Sequence, residues 1–401
     1  MPIADSFCTT KANNMLYPVL FAEPADAIGH ESGLELSSDC KLSSKMFIAL
    51  NSQKITSYSF HNDQGELGLR LIQPVYHGNN DIGSSLRGYI VGIVMIKDSN
   101  INVSEVIRNA DIAMYEAKRL GRGKIVFYQN DMYKSLVYRQ GIENDLAEAI
   151  NTNGLSLYLQ PIHNLNGLVG FEALSRWQHP EKGMIFPDEF ISVAEETGLI
   201  HQLGYWLLEE SCQYLSMWIN QYGIDDCPYI SVTLSPIQLE NTQIVNQIEA
   251  ALKRYKIPEK LLAVELTESA LIGNKKIVKD NLIKLRALNV RVFLDDFSTG
   301  YSSLSLLKDF PIDVLKIDRS FITGVDQASE DSQNLVKAII NMTHALNMKV
   351  VAEGVETNSV LNWLLNVQCD LVQGYYFSKP LSEQQLPLYL DSYQFRQQSV
   401  S

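Results

Sequence analysis

The chain has 401 residues, of which 46% are hydrophobic and 20% are charged, and its formal net charge is −13. This length exceeds one ordinary domain, and the composition is that of a globular protein. The negative charge argues against a nucleic-acid polymer as partner, because such partners require a basic face on the protein. A small phosphate ligand stays compatible with this charge if bound cations supply positive charge locally.

The N-terminal residues, the length of the apolar runs and the cysteines predict the compartment. The first residues lack the basic stretch and apolar core of a signal peptide. The longest apolar run in the N-terminal third is Tyr89–Ile96, far shorter than the ~20 residues that a membrane span needs. None of the cysteines forms a C-x-x-C pair; they are Cys8, Cys40, Cys212, Cys227 and Cys369. We therefore expect a cytoplasmic protein with free thiols and no membrane span.

The N-terminal third divides into three predicted parts. Residues 1–98 contain turn clusters and short apolar runs, which predict a small β-rich region. Within 99–130, apolar residues recur at three- and four-residue steps from Ser104, a predicted N-cap, to Gly121, which predicts a helix. Residues 131–151 are rich in charge and predict a helix that connects to the rest of the chain.

From residue 154 onward, short apolar runs alternate with helical stretches. There are eight such runs: LSLYLQ, GFEALSR, YISVTL, LLAVEL, VRVFLDD, DVLKID, KVVAEG and DLVQGYYF. Their number and spacing favour an α/β fold, a TIM-type (β/α)₈ barrel over residues 152–398, preceded by a small α+β N-terminal region. A doubly wound open sheet is the alternative. The barrel is favoured because one more helix follows the last run and nothing marks an open edge.

Polar side chains recur where the predicted strands end. Barrel enzymes carry their reactive groups at that face, and the polar residues there are Gln160, Glu172, Arg176, Thr233, Ser235, Glu265, Glu268, Asp295, Asp296, Lys316, Asp318, Glu353, Glu356 and Gln373. Any one of them could be a hydrogen-bonding core residue or half of a buried ion pair. Polar groups at the ends of all eight predicted strands together indicate a functional site, because each is costly to bury without a partner or a metal.

The residue types at these positions select the chemistry. Carboxylates dominate, Gln373 adds an amide oxygen, and no histidine is among them, so the set favours Mg²⁺, Mn²⁺ or Ca²⁺ over zinc. Neighbouring strand residues point to opposite faces, so Asp295 and Asp296 can reach one site only where their strand ends. A carboxylate that bridges two metals ~3.5–4 Å apart would suit in-line phosphoryl displacement. Lys316 fits a role on a metal-bound water or a phosphate oxygen; a salt bridge inside the barrel is its alternative.

At these residues the chain resembles the EAL phosphodiesterases, over essentially all of 135–390. The matching segments are LQPI, FEALSRWQHP, FISVAEETGLI, VELTES, DDFSTGYSSL, LKIDRSFI, VVAEGVET and VQGYYFSKPL. The resemblance implies hydrolysis of one phosphodiester of cyclic di-GMP to linear pGpG. It also implies two Mg²⁺ or Mn²⁺ ions as cofactors and a homodimer formed through this domain.

The resemblance also implies roles for individual residues. The metal ligands would be Glu172, Thr233, Glu265, Asp295, Asp296 and Glu353. The residues closest to the chemistry would be Lys316, which holds the catalytic water, with Glu353, Asp295 and Asp296. The substrate contacts would come from Gln160, Leu174, Arg176, Gln373 and Pro380. The residues that couple the site to the dimer interface would be Glu268, Ser298 and Glu356.

Two positions depart from the family pattern. The third strand of the family ends in a metal-ligating Asn where this chain has Thr233, whose hydroxyl is shorter and differently aimed. The family motif DDFGTG reads DDFSTG here, and Ser298 would be strained if that position has a positive φ. Both departures predict weakened catalysis.

The N-terminal third resembles pieces of other signalling domains. Residues 104–129 resemble the end of a GGDEF cyclase domain, but the GGDEF signature is absent, so cyclase activity is not expected. Residues 16–96 resemble part of a CHASE sensor domain. The sequence favours a remnant of a longer receptor over a working sensor.

Three functions are therefore compared. The retained carboxylates and Lys316 favour an enzyme that cleaves cyclic di-GMP. Thr233 favours a second hypothesis, a receptor that keeps the pocket without the chemistry. The third hypothesis is a scaffold that signals only through protein contacts, and no feature of the sequence favours it.

Overall fold

The protein is seen here in a computed structural model. The described parts are the strands Val19–Ala22, Thr56–His61, Leu67–Tyr76 and Leu86–Ile96, the helix Val103–Arg119, residue 126, and residues 128–152, 154–271, 275–297 and 304–391. The chain divides into two compact units, residues 1–141 and 142–401.

The first unit contains an antiparallel sheet. Strands β1 (Val19–Ala22), β2 (Thr56–His61), β3 (Leu67–Tyr76) and β4 (Leu86–Ile96) are ordered β1-β4-β3-β2. Helix α1 (Val103–Arg119) covers most of the predicted helical stretch. The rest of the region compared with a CHASE domain lies outside the described residues, and so does most of the loop after α1.

Helix α2 (Asn130–Asn151) begins in the first unit and ends in the second. In its second half, Ile142 and Leu146 are buried in an apolar cluster with Trp177 and Phe190. Apolar positions four residues apart lie on one face of a helix, which is why this half packs as one surface. The connecting helix predicted at 131–151 therefore contributes side chains to the core of the second unit.

The second unit contains nine described strands. They are β5 (Leu155–Asn164), β6 (Gly167–His179), β7 (Gly183–Ile185), β8 (Tyr229–Thr233), β9 (Leu262–Thr267), β10 (Arg291–Phe297), β11 (Val314–Ile317), β12 (Lys349–Ala352) and β13 (Leu371–Gln373). Eight of them close into a ring in the order β5-β13-β12-β11-β10-β9-β8-β6, and β6 pairs back with β5. The predicted eight-stranded barrel is confirmed.

Strand β5 differs from the sequence-based expectation. The repeating strand–helix pattern predicts a helix after the first run, but β5 continues to Asn164 and turns directly into β6. It is antiparallel to both of its neighbours, whereas the other ring strands run parallel. The turn is closed by Asn164, whose side-chain oxygen accepts from the backbone N–H groups of Asn166 and Gly167. Such side-chain-to-backbone bonds favour a tight turn over a helix start.

Helices surround the ring. Their bounds are α3 (Pro187–Thr197), α4 (Ile200–Tyr222), α5 (Pro236–Leu239), α6 (Ile244–Tyr255), α7 (Lys275–Ala287), α8 (Leu304–Asp309), α9 (Arg319–Ile322), α10 (Glu330–Ala345) and α11 (Asn358–Asn366). Their apolar faces pack on the outward side chains of the strands, as Leu215 and Trp218 of α4 do in the cluster with Phe171 and Ile230. This outer layer is the main core of the unit.

The ring has a second core inside it. Inward-facing side chains at one end of the strands form an apolar cluster that we call the barrel floor: Ile162, Tyr229, Ala263, Phe293, Val314, Val351 and Leu371. Side chains alternate along a strand, so the next inward position on these strands lies two residues further on. No helix among the described residues is long and apolar enough to cross a membrane.

Candidate active site

Most inward positions one step above the barrel floor are charged, and the others are polar. Lys316 of β11 is fully buried, and its Nζ lies 2.8 Å from Oε2 of Glu265 and 3.1 Å from Oε2 of Glu172. It lies 2.7 Å from Oε1 of Glu353 and 3.4 Å from Oδ2 of Asp295. Five predicted site residues from five strands or strand ends thus meet at one ammonium group. We call them the acidic ring.

The acidic ring has an excess of negative charge. Four carboxylates and one ammonium leave a formal excess of three negative charges when all are ionised. Burial raises the pKa of Glu265 to about 8 and that of Glu353 to about 8, with Lys316 opposing both shifts. Burial by itself would lower the pKa of Lys316, but the carboxylates, Asp295 foremost, raise it well above its ordinary value. The ring therefore favours added positive charge, as protons or as cations.

Two buried oxygens in this layer have no hydrogen-bond partner. One is Oε1 of Glu265, and the other is Oε1 of Gln373, whose Nε2 donates to Oε2 of Glu172 at 2.7 Å. Unpaired buried acceptors are costly and are the oxygen donors that Mg²⁺ and Mn²⁺ prefer. Within the described part of the chain, no group of His, Cys, Asp or Glu is already arranged to hold a metal; the ammonium of Lys316 lies within 3.4 Å of all four ring carboxylates. By charge and donor type, these residues fit a hard divalent cation.

Strand β10 brings two adjacent aspartates to the same end of the barrel. The pairing of β10 with β11 shifts register between Leu294 and Phe297, and Asp296 has a φ of 56°. A left-handed residue in a strand interrupts the alternation of side chains. Burial, together with the charge of Asp295, raises the pKa of the Asp296 carboxyl. The sequence predicts that both can meet only where the strand ends; the structure adds the backbone irregularity within β10.

Thr233 and Gln160 reach this layer in different ways. Thr233 is the last residue of β8, is half-buried, and pairs with Glu265 across the parallel ladder. Gln160 lies in the middle of β5, not at its end, and is directly opposite Glu172. Because β5 is antiparallel, its middle supplies a residue to the face where the other strands end.

The other predicted substrate residues lie on β6 and beside β5. Leu174 and Arg176 follow Glu172 on β6 and are half-buried. A backbone bridge between Leu159 and Leu381 brings Pro380, the residue before Leu381, beside β5. Burial lowers the pKa of Arg176, while Glu172 opposes that shift. Its guanidinium donates to the carbonyl oxygen of Ser175 at 2.8 Å, which leaves further N–H groups for a ligand.

Other predicted residues lie elsewhere. Glu268 is buried and begins a 3₁₀ helix that follows β9 directly, and Glu356 is exposed after β12. Ser298 lies outside the described residues. Asp318 is an N-cap: its side chain accepts from the backbone N–H of Ser320 at the start of α9. Its position at a strand end therefore has a structural explanation.

Sequence reasoning missed two tyrosines near Arg176. Tyr158 has its ring centroid 5.8 Å from the guanidinium carbon, and Tyr375 is 55% exposed and also influences the pKa of Arg176. Sequence reasoning also missed Gly374, where a Cβ would lie 2.2 Å from the carbonyl oxygen of Val355. The Gly after Gln373 was visible in the sequence, but a close backbone approach between two loops was not.

Comparison with known proteins gives a family and relatives. The EAL domain family matches residues 143–380. The chain is 35% identical over 319 residues to the bifunctional diguanylate cyclase/cyclic di-GMP phosphodiesterase MucR of Pseudomonas aeruginosa, covering 79% of this chain and 46% of MucR. It is 36% identical over 307 residues to the cyclic di-GMP phosphodiesterase NbdA of the same organism, covering 76% of this chain and 39% of NbdA. The chain thus spans less than half the length of these curated relatives.

Among solved structures, the fold matches one described as "PaMucR Phosphodiesterase, c-di-GMP complex". The TM-score is 0.58 at 37% identity, covering 61% of this chain and 99% of that one. The matched share agrees with the extent of the second unit.

Proposed function

The chain belongs to the EAL domain family, and we propose on that basis that it hydrolyses cyclic di-GMP to linear pGpG. The observation that carries the proposal is the acidic ring: Glu172, Glu265, Asp295 and Glu353 converge on Lys316, with two unpaired buried oxygens in the same layer. The relatives named as cyclic di-GMP phosphodiesterases support the same reaction.

We propose that the acidic residues of the site, together with Thr233, hold two divalent cations, Mg²⁺ or Mn²⁺. The holding residues would be Glu172, Thr233, Glu265, Asp295, Asp296 and Glu353. When bound, such ions supply positive charge for the phosphodiester and for the attacking water. Lys316 keeps its proton because the carboxylates stabilise its charge, so Nζ can donate to the attacking oxygen and hold it. Glu353 lies 2.7 Å from that Nζ; with cations bound it would be ionised and could accept the proton that the water loses.

The substrate would be oriented from the mouth of the barrel. Arg176 can donate to phosphate oxygens, since a half-buried guanidinium binds phosphate more strongly than an exposed one. Gln160 and Gln373 present amide groups, and Leu174 and Pro380 present apolar contact. In the reaction, the water oxygen adds to phosphorus as its proton passes to Glu353, the phosphorus–O3′ bond breaks, and O3′ takes up a proton from solvent water.

We further propose that the protein is a homodimer through this domain. Glu268, Ser298 and Glu356 would couple the site to the dimer interface. The buried position of Glu268 at the start of the 3₁₀ helix after β9, directly beyond the strand that carries Glu265, supports its part in this coupling.

For the N-terminal third, we propose a truncated GGDEF-like tail at 99–130 and a CHASE-like remnant at 1–98. The similarity to MucR covers 79% of the chain, more than residues 142–401 can supply, so it extends before the second unit. That relative is named as a cyclase as well as a phosphodiesterase, which supports a cyclase-derived segment.

One assay tests the reaction. Purified protein is incubated with cyclic di-GMP and Mg²⁺ or Mn²⁺, and pGpG is followed by chromatography with an EDTA control. We expect metal-dependent pGpG. No product at any metal concentration, with ligand binding intact by calorimetry, would support the receptor instead. Thr233 is the observation that favours this second function, because it replaces an amide oxygen with a hydroxyl on a stiff, β-branched side chain.

A further inference from the structure

The segment that follows Thr233 is held in place at both of its ends. Two residues separate β8 from helix α5 (Pro236–Leu239), which has a capping box at its start. The hydroxyl of Ser235 accepts from the backbone N–H of Gln238, and Oε1 of Gln238 accepts from the backbone N–H of Ser235 at 3.0 Å. This reciprocal arrangement fixes the exit of a strand into a helix.

Gln238 reaches the capping position because helix α4 leaves room for it. The Gln238 side chain is buried, and its Nε2 would lie 1.9 Å from a Cβ placed on Gly204, a residue within α4. A glycine inside a helix costs stability relative to alanine. Its presence here is explained by the close approach of the glutamine amide, because a Cβ at this position would force the Gln238 side chain to shift.

The far end of the same segment has a second anchor. Asn281 of α7 is buried, and its Nδ2 donates to the carbonyl oxygens of Leu239 at 2.8 Å and Asn241 at 3.2 Å. On the strand side, the backbone N–H of Leu234 donates to the carbonyl oxygen of Glu265 at 2.8 Å. Leu234 is thus hydrogen-bonded to the backbone of Glu265 in the acidic ring, and residues 235–241 contact helices α4 and α7.

We propose that Gln238, seated against Gly204, is a positioning residue that sets where the Thr233 side chain lies relative to Glu265. This inference rests on the proposed function, in which Thr233 and Glu265 contribute to one cation site. A short hydroxyl tolerates less displacement than a longer side chain. Its supporting contacts therefore matter more, because a ligand misplaced by a fraction of an ångström is lost from the site.

The test uses the full chain and four variants. Gly204→Ala introduces the clash, Gln238→Leu removes the capping amide, and the double variant combines them. The control Val278→Ala removes buried volume from α7, the helix that carries Asn281, without removing either anchor. For each, the melting temperature is measured with and without Mn²⁺ in the absence of nucleotide, and kcat and KM are then measured with cyclic di-GMP.

We expect Gly204→Ala to lower the melting temperature, although alanine ordinarily stabilises a helix interior. Gly204→Ala and Gln238→Leu should each shrink the Mn²⁺-induced rise in melting temperature and lower kcat roughly tenfold, with KM within about twofold. The double variant should be no worse than Gln238→Leu. Val278→Ala should lower the melting temperature but keep the full Mn²⁺-induced rise.

Two outcomes overturn the inference. One is a Gly204→Ala protein that melts at a higher temperature than the wild type and keeps the full Mn²⁺-induced rise. This result would show that the close contact between Gly204 and Gln238 is not needed for the cation site. The other is that Gly204→Ala and Gln238→Leu both lower the melting temperature but keep the same Mn²⁺-induced rise as Val278→Ala. This result would mean that Gln238 contributes to packing and does not position Thr233. A wild-type protein that responds to Mn²⁺ without producing pGpG counts against the proposed function alone, because the Mn²⁺ response is read without turnover.

Discussion

The barrel floor and the acidic ring are built on the same strands and differ in polarity, in charge and in their contribution to stability. On β9, Ala263 belongs to the floor and Glu265 to the ring; on β10, Phe293 and Asp295 do the same. Two residues along a strand separate a close-packed apolar layer from one with an excess of three negative charges when all of its groups are ionised. Burial of apolar side chains in the floor stabilises the fold. Burial of charged groups in the ring costs folding stability, but these groups can bind a cation. Stability and chemistry are therefore separable by layer.

The largest expected effect is on activity, from a change in the ring. Glu172→Ala or Asp295→Ala should lower kcat by at least about 10³-fold, the scale seen when preorganised charge is removed. The melting temperature of the metal-free protein should hold or rise, because each change removes a negative charge from a crowded group. Glu172→Gln is the matched control for side-chain volume. Wild-type turnover in either alanine variant would locate the site elsewhere.

The floor should show the opposite pattern. Phe293→Ala removes a fully buried ring and should lower the free energy of unfolding by ~3–5 kcal/mol. The Mn²⁺ concentration that gives half-maximal activity should change little. Urea unfolding measures the first quantity and a metal titration the second. Phe293→Leu, which leaves a smaller cavity, serves as the control, and equal losses in both variants would contradict the packing argument.

A pH series should distinguish the layers without mutation. Glu265 and Glu353 have an ordinary carboxyl pKa of 4.5 when unfolded and about 8 when folded. Between these values the folded protein holds protons that the unfolded chain releases. In EDTA, the free energy of unfolding should therefore fall as pH rises from about 5 to 8, by up to ~1.4 kcal/mol per pH unit and group. Saturating Mn²⁺ should flatten this slope, and Glu265→Gln should reduce it. A stability that rises over this range would show that both carboxyls are ionised.

The smallest expected effect is a gain. Thr233→Asn should raise kcat several-fold with little change in KM, because a longer amide oxygen improves a cation ligand without touching Gln160 or Arg176. The gain should shrink at high Mn²⁺, where mass action fills a weak site. Steady-state kinetics at several metal concentrations measure both effects. An unchanged or lower kcat in the Asn variant at every concentration would show that Thr233 does not limit the reaction.

Local patterns in the sequence determined the barrel and the residues at its mouth. Alternating apolar runs and helical stretches predict eight strands, and polar residues at their ends predict Glu172, Glu265, Asp295, Lys316 and Glu353 as one group. These inferences succeed because strand periodicity and the position of strand ends are properties of short segments. The segments that resemble the family then specify the chemistry.

Only the tertiary structure decided how distant segments meet. The antiparallel direction of β5, the left-handed backbone of Asp296 and the contact between Gly204 and Gln238 each depend on partners far along the chain. Lys316 meets a carboxylate 144 residues away, and Gln373 meets one 201 residues away. Such contacts follow from ring closure and packing, because a side chain's partner is set by where its whole strand lies and not by its neighbours in sequence.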